Sequence, residues 1–401
     1  MSMIERLSVL TPQGPSSELS VTPARDYLLR YEIGAPPEVQ ISLTMGVRDA
    51  GFTSRVLHPI FQMNLPEGYV LEQLRNRLAK ITAVDPMLLL ALTASASPIG
   101  RVTVRSDVIR SLHLRDEQPG GENLAQILAW DGAEDLFATL VDKYILRAGI
   151  SGVQPKVIVP ELPGPDPKAT FLTPELIIKA GRGDFPGLAI NEFVCMDAAR
   201  RAGMAVPEFH LSDNHQLFVM RRFDRDAQQR PLGFEDMAVL TGLGAEEKYN
   251  SSYSRVARAI RLFCAPQEIA DSLMRFFDMV ALSCILGNGD AHLKNFGLLY
   301  ADPMGLDARL APAYDIVNTT AYIPEDALAL SLGGSKSLFQ SRLGILELGM
   351  ACEVNDPRAR IRRLIEAVHA SLQANGDLQE QAPNVFAAIR YSCELYERTF
   401  T

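Results

Sequence analysis

One apolar run constrains this chain more than any other feature. Residues 270–286 read ADSLMRFFDMVALSCIL and stop at Gly287. The run is too long for a buried strand and is apolar along most of its length. It therefore predicts a helix enclosed by the rest of the protein. Glycine just past the last apolar residue is an ordinary helix stop. Beyond it come Asn288, Gly289, Asp290, His292, Lys294 and Asn295 in quick succession, then a strand-like FGLLY. A helix that must be buried thus delivers ionisable and amide groups to one fixed place.

The chain before this helix is rich in strand patterns. IERLSVL, YLLRYEI and VQISLTM predict short strands within residues 4–60. LEQLRNRLAKI places Leu71, Leu74, Leu78 and Ile81 on one helical face, and Asp85-Pro86 opens a second helix with a cap and a first-turn proline. Residues 101–108 predict another strand, and the polar, turn-rich segment 111–123 is the best candidate boundary. A second strand-rich section holds KVIVPE, ELIIKA, EFHLSD and QLFVMRRFD, with one helix at about 191–203; after Phe234 the pattern is mostly helical. Strand-rich material followed by helical material predicts an α+β protein with two lobes.

Composition narrows the partners. The 401 residues suffice for two to three domains at about 150 residues each. With 47% hydrophobic and 22% charged residues the chain is not intrinsically disordered. A net charge of −9 argues against unaided nucleic-acid binding, which needs a basic surface. Five scattered cysteines without a C-x-x-C pair suit a reducing compartment and offer no zinc site. The N-terminal residues lack the apolar stretch of a signal peptide, and no run reaches the roughly 20 residues of a spanning helix. The expected location is cytoplasmic.

The spacing Asp290-x-x-x-x-Asn295 is that of a protein-kinase catalytic loop, where Asp accepts the proton of the acceptor hydroxyl and Asn holds magnesium. The triplet Asn-Gly-Asp by itself reads equally as a surface turn. Downstream, Asp315 ends the apolar segment LAPAYD and stands where a second metal-binding carboxylate is needed; taken alone it also reads as a cap or turn residue. Upstream, Lys179 lies inside the apolar LIIKA, so it must snorkel or find an anion, and the phosphates of ATP are the functional choice. Glu192, near the start of the next helix, either orients Lys179 or favours the helix N-terminus. The loop 149–156, GISGVQPK, has two glycines and can offer backbone N–H groups to phosphate. Each signal is weak alone; their order is the order one phosphoryl-transfer mechanism requires.

In ISGVQPK, LIIKA, NEFVCMDAARRAGM, VMRRFDR, NGDAHLKNFGLLY and APAYDI the chain resembles the HipA family of bacterial serine/threonine kinases, the toxins of type II toxin–antitoxin modules. ISLTM, HPIFQMNLPEG and DPMLLLAL resemble the family's N-terminal subdomain, and the similarity covers about residues 4–370. The resemblance implies a two-lobed, protein-kinase-like α+β fold. Its parts would be an N-terminal subdomain (1–110), a connecting segment (111–146), a strand-rich nucleotide-binding part (147–235) and a helical catalytic lobe (236–401). It implies Asp290 as catalytic residue and ATP contacts at Ser151, Gly152, Val153, Gln154, Pro155, Lys156 and Lys179. Further ATP contacts would come from the hinge Arg221, Arg222 and Phe223, from His292, Leu293, Lys294 and Asn295, and from Tyr314. Asn295 and Asp315 would hold Mg²⁺. Implied targets are aminoacyl-tRNA synthetases phosphorylated on a serine, which stalls translation. The implied partner is a small HipB-like helix-turn-helix antitoxin, through which alone the kinase meets operator DNA; no membrane is involved. Family members often carry Glu at the position of Arg221 and a regulatory serine at that of Gly149. Here Ser151 is the only hydroxyl of that loop and the expected autophosphorylation site.

Two other readings stand beside this one: a kinase of a small molecule or lipid headgroup, and a non-catalytic corepressor that binds the antitoxin. His58, His113, His210, His215 and His369 have no partners at metal-ligand spacing and read as structural or surface residues. The segment Glu246-Glu247-Lys248-Tyr249 lies where members of the resembled family carry a Lys-Tyr pair, but it reads as a solvated loop without a catalytic role.

Overall fold

The computed structural model describes residues 4–78, 84–94, 97–107, 109, 120–145, 154–162, 174–181 and 183–400. The N-terminal body is built on a five-stranded antiparallel sheet. Its strands are β1 (Arg6–Thr11), β2 (Gly14–Val21), β3 (Tyr27–Tyr31), β4 (Phe52–Ser54) and β5 (Thr103–Arg105), in the order β4-β3-β2-β1-β5. β2, with the sequence GPSSELSV, is a strand that the apolar pattern does not announce. It forms because β1 and β3 offer it partners on both sides. Leu7, Val9, Leu19 and Leu29 alternate inward and meet the helix Pro86–Thr93, whose start is capped by Asp85.

VQISLTM does not form a strand, contrary to the sequence expectation. Its backbone is held by side chains instead of a ladder. Ile41 N donates to Tyr31 Oη at 3.1 Å, and Leu43 N donates to Glu235 Oε1 at 2.8 Å. β-branched residues set a preference for extended backbone, but a strand also needs a free neighbouring edge.

A second antiparallel sheet consists of β6 (Lys156–Pro160), β7 (Glu175–Ala180), β8 (Phe209–Leu211) and β9 (Leu217–Arg221), in the order β6-β7-β9-β8. Both of its faces are covered, which explains near-continuous apolar strands in an antiparallel sheet. Val157, Val159, Leu176, Ile178, Leu217 and Val219 pack toward the helix Leu136–Tyr144, while Ile158, Ile177, Phe218 and Met220 join the core of the helical lobe.

The helix Ile269–Leu286 runs through the centre of that lobe, with every residue from Phe276 to Leu286 buried. Around it pack the helices Leu188–Arg201, Tyr253–Phe263, Pro357–Ala374 and Pro383–Phe400. The lobe is less purely helical than its sequence suggests. It also holds a three-stranded sheet of β10 (Gly233–Asp236), β11 (Gly297–Tyr300) and β12 (Arg309–Leu310), and a hairpin of β13 (Ala327–Leu332) and β14 (Ser335–Ser337). The N-terminal body is fastened to this sheet by one buried carboxylate. Glu235 accepts bonds from Ser42 Oγ (2.6 Å), Leu43 N and Tyr300 Oη (2.6 Å). Among the described residues no helix is long and apolar enough to cross a membrane.

Candidate active site

The central helix ends as its sequence requires. Gly287 takes a left-handed φ of 72°, and an added Cβ there would meet Ser392 Oγ at 2.5 Å. Asn318 Nδ2 caps the helix by donating to Leu286 O at 2.6 Å, and Gly289 N donates to Thr319 Oγ1 at 2.7 Å. A side chain at Gly289 would collide with Asp326. The turn is therefore pinned on both sides before it reaches Asp290. Asp290 N donates to Asn288 Oδ1 at 2.9 Å, and His292 N donates to Asn295 Oδ1 at 3.0 Å. The Asp-to-Asn spacing thus closes a compact turn with Asp290 at its rim and Asn295 at its base.

A cleft of about 690 Å³ opens between the second sheet, the N-terminal body and this turn. On its sheet side, Lys156 and Lys179 stand directly opposite each other on β6 and β7. Both are buried. Lys179 Nζ donates to Glu192 Oε1 at 2.5 Å and to Asp315 Oδ1 at 2.6 Å. Lys156 Nζ lies 4.0 Å from Asp315 Oδ2. Asp315 adopts a left-handed φ of 58°, which turns its carboxylate back toward these lysines. Their charges hold it well below the usual carboxylate range against the opposing effect of burial, and the same carboxylates hold Lys179 above its ordinary value. Burial pushes Lys156 down. Asn295 Nδ2 donates to Asp315 Oδ2 at 3.2 Å, so the amide and carboxylate expected at the metal are neighbours.

The opposite wall is different. The Asp290 side chain is 51% exposed to the cleft and accepts a bond from Tyr249 Oη at 2.8 Å. Desolvation pushes its carboxyl up, and the Tyr249 bond opposes that rise. His292 Nε2 is 3.9 Å from Asp290 Oδ1. Burial, then the neighbouring Lys248, lowers the His292 pKa to about 3, so the imidazole is neutral and the contact is not an ion pair. Among the described residues, His292 Nδ1 and Gln154 Nε2 are buried without partners.

The other expected residues separate. Gln154, Pro155, Lys156, Arg222, Phe223, His292, Lys294 and Tyr314 line the cleft. Phe223 packs on Tyr314 with ring centroids 5.1 Å apart and on Phe234 at 5.7 Å, forming an aromatic end wall. The Arg222 side chain is committed elsewhere, to Glu175 (2.8 Å), Asp224 (2.6 Å) and Pro98 O (2.7 Å). Arg221 points away from the cleft, with Nη2 on Glu161 at 2.8 Å and Nη1 on Glu208 at 2.5 Å. Leu293 is buried in the helical-lobe core. Ser151, Gly152 and Val153 lie outside the described residues, as do Gly149 and His113.

The reading of residues 246–249 as a solvated loop holds for the exposed Glu246 and Glu247 and is corrected for Lys248 and Tyr249. Lys248 is buried and lines the cleft, and Tyr249 holds Asp290. The segment's second half is polar because it faces the cleft, a cause that composition cannot distinguish from facing solvent. Glu67 also escaped the sequence reading, although it lies within HPIFQMNLPEG: its carboxylate reaches Lys294. The remaining described histidines carry no metal cluster, and among the described residues no three His, Cys, Asp or Glu side chains gather as one.

Comparisons with known proteins agree with this architecture. Residues 148–375 match the HipA-like C-terminal domain, and residues 7–105 match the HipA N-terminal domain. The chain is 30% identical over 309 residues to the candidate kinase Y4dM of Sinorhizobium fredii, covering 71% of this chain and 68% of that protein. It is 32% identical over 160 residues to a candidate kinase of Haemophilus influenzae, covering 36% of this chain and 46% of that one. In fold it is similar to a chain of the Shewanella oneidensis MR-1 complex of HipA, HipB and operator DNA. There the TM-score is 0.66 at 19% identity, over 98% of this chain and 97% of the other. Both domain types occur here in one chain, joined around one cleft, and the protein belongs to the HipA family.

Proposed function

We propose that this protein is a Mg-ATP-dependent serine/threonine protein kinase, acting in the cytoplasm as the toxin of a toxin–antitoxin module. The observation that carries the reading is the buried pair Lys156 and Lys179, side by side on neighbouring strands and facing Asp290 across the cleft. Like charges directly opposite in a sheet repel, so the pair is a natural seat for a polyanion.

The residues fit a nucleotide. Gln154 Nε2 and His292 Nδ1, without partners among the described residues, offer polar contacts, and Phe223, Phe234 and Tyr314 offer a face for a planar base. Asn295 and Asp315 would hold Mg²⁺, a hard cation that is commonly bound by one or two protein oxygens together with phosphates. When bound, Mg-ATP supplies the phosphoryl group and the metal offsets the charge that builds during its transfer.

The chain's own residues do the rest. Asp290 accepts the proton of the acceptor hydroxyl, and Tyr249 holds one of its oxygens so that the other faces the cleft. Glu192 fixes Lys179 at the phosphate position. Arg221, directed outward, takes no part; the hinge reads the base through Phe223 and backbone. The acceptor is a serine of a translation-related protein such as an aminoacyl-tRNA synthetase, and its phosphorylation slows growth. A HipB-like antitoxin is the partner through which the complex reaches operator DNA, and Ser151 is the autophosphorylation site. These last points rest on membership of the family.

The test is labelled phosphoryl transfer from ATP with Mg²⁺ into a cleared lysate, with phosphopeptide mapping. Asp290→Asn is expected to lower transfer by about 10²- to 10⁴-fold while nucleotide binding persists. Full activity of that variant would refute the role of Asp290. Label appearing only in small molecules would favour the small-molecule kinase. Phosphate mapped only outside the 149–156 loop would remove Ser151.

A further inference from the structure

We propose that Glu67, supplied by the N-terminal body, is a positioning residue of the transfer site: it aims Lys294 and Lys248 into the cleft. The proposal rests on the kinase reading above and names a part of that site contributed by the other domain.

The geometry is specific. Glu67 directly precedes the helix Gly68–Leu78, within a segment whose Ile60, Phe61 and Met63 belong to the N-terminal core. Its Oε1 lies 2.7 Å from Lys294 Nζ and its Oε2 3.7 Å from Lys248 Nζ. Both lysines line the cleft, whereas Glu67 does not; it stands behind them. Their side chains are 9% and 10% exposed, so neither ammonium is tolerable there without a carboxylate. Free lysine stems are flexible, and a shared anchor gives these two a single direction.

Each lysine is joined to one half of the site. Lys248 precedes Tyr249, which holds Asp290. Lys294 precedes Asn295, which touches Asp315, and Lys294 O accepts from Tyr314 Oη at 2.7 Å. One carboxylate therefore ties the Asp290 side to the Asp315 side. Docking of the N-terminal body does not depend on Glu67 alone. Glu235 and the Gly100 N to Asp224 bond (2.7 Å) fasten it at other points.

The experiment compares the full chain with Glu67→Gln, Glu67→Asp and, as a surface control on the helix that follows Glu67, Glu72→Gln. The readouts are steady-state transfer, thermal unfolding and acylation of Lys294 and Lys248 by an amine-reactive reagent. Glu67→Gln is expected to lower kcat about tenfold or more, and KM for ATP to stay within about threefold. Glu67→Asp should fall between it and the parent, and Glu72→Gln should match the parent. Unchanged kcat in both Glu67 variants overturns the proposal, whatever KM does. If Glu67→Gln fails to fold, kcat of Glu67→Asp decides. If the parent transfers no phosphoryl group, the kinase reading fails and the acylation rates decide the present point. Faster modification of the two lysines in a Glu67 variant supports the anchor, and equal rates overturn it.

Discussion

Asp315 and Asp290 share one cleft and one functional group, yet the protein treats them oppositely. Asp315 sits against Lys179 and Lys156 on a covered sheet, and its carboxyl is held far down. Asp290 rides on a turn at the rim, half open to the cleft, and its carboxyl is pushed up. On the proposed kinase reading, the carboxylate that would face phosphate and metal is the one locked among cations, and the one that would take a proton from an incoming hydroxyl is left accessible and less firmly ionised. The difference comes from the element beneath each residue: a packed strand pair in one case, a pinned helix stop in the other.

Three substitutions sharpen or break this contrast. Asp315→Asn should have the largest effect on stability, because it leaves Lys156 and Lys179 poorly compensated. Breaking a buried pair costs about 3–5 kcal/mol, and the low end applies because Asp315 is 28% exposed. The effect should also depend on pH. A carboxyl whose folded pKa is depressed contributes fully above its unfolded value near ~3.9, and the contribution is lost as pH falls toward the folded value. Urea midpoints of parent and variant should therefore converge below about pH 4; a gap that stays constant down to pH 2 would contradict the locked carboxylate.

Tyr249→Phe should have an intermediate effect. Loss of a hydrogen bond to a carboxylate is worth about 1.5–3 kcal/mol, here appearing mostly in transfer. The bond lowers the Asp290 pKa, so its removal should raise that pKa and move the acid limb of kcat/KM to higher pH. A pH profile superimposable on the parent's would show that Tyr249 does not tune Asp290.

Arg221→Ala should do least. Its partners are part-exposed and its guanidinium is 35% exposed, so about 0.2–1 kcal/mol of stability is at stake, with nucleotide affinity unchanged. A large loss of ATP affinity, measured by titration calorimetry, would return Arg221 to the cleft.

Much of the site was readable along the chain because its parts announce themselves locally. A lysine inside LIIKA has few explanations, and Glu192 and Asp315 supply the anions it requires. The turn after the central helix could be located from Gly287 alone. Other parts could not be read. VQISLTM has strand-forming residues but its backbone bonds to the Tyr31 and Glu235 side chains, and GPSSELSV has weak strand character but two waiting partners. Lys248 and Tyr249 look like any polar loop until the cleft is known to lie in front of them.

The sequence by itself determined the buried central helix, its stop, and the chain order of Lys179, Asp290, Asn295 and Asp315. Those features rest on periodicity, apolar burial and glycine's backbone freedom, which act over a few neighbouring residues. Only the tertiary structure decided that Lys156 stands opposite Lys179, that Arg221 turns outward and that Glu67 reaches Lys294 across 227 positions of chain. Strand register and the docking of two bodies set those contacts. Both arise from how whole surfaces fit together, and no local preference of a residue encodes that fit.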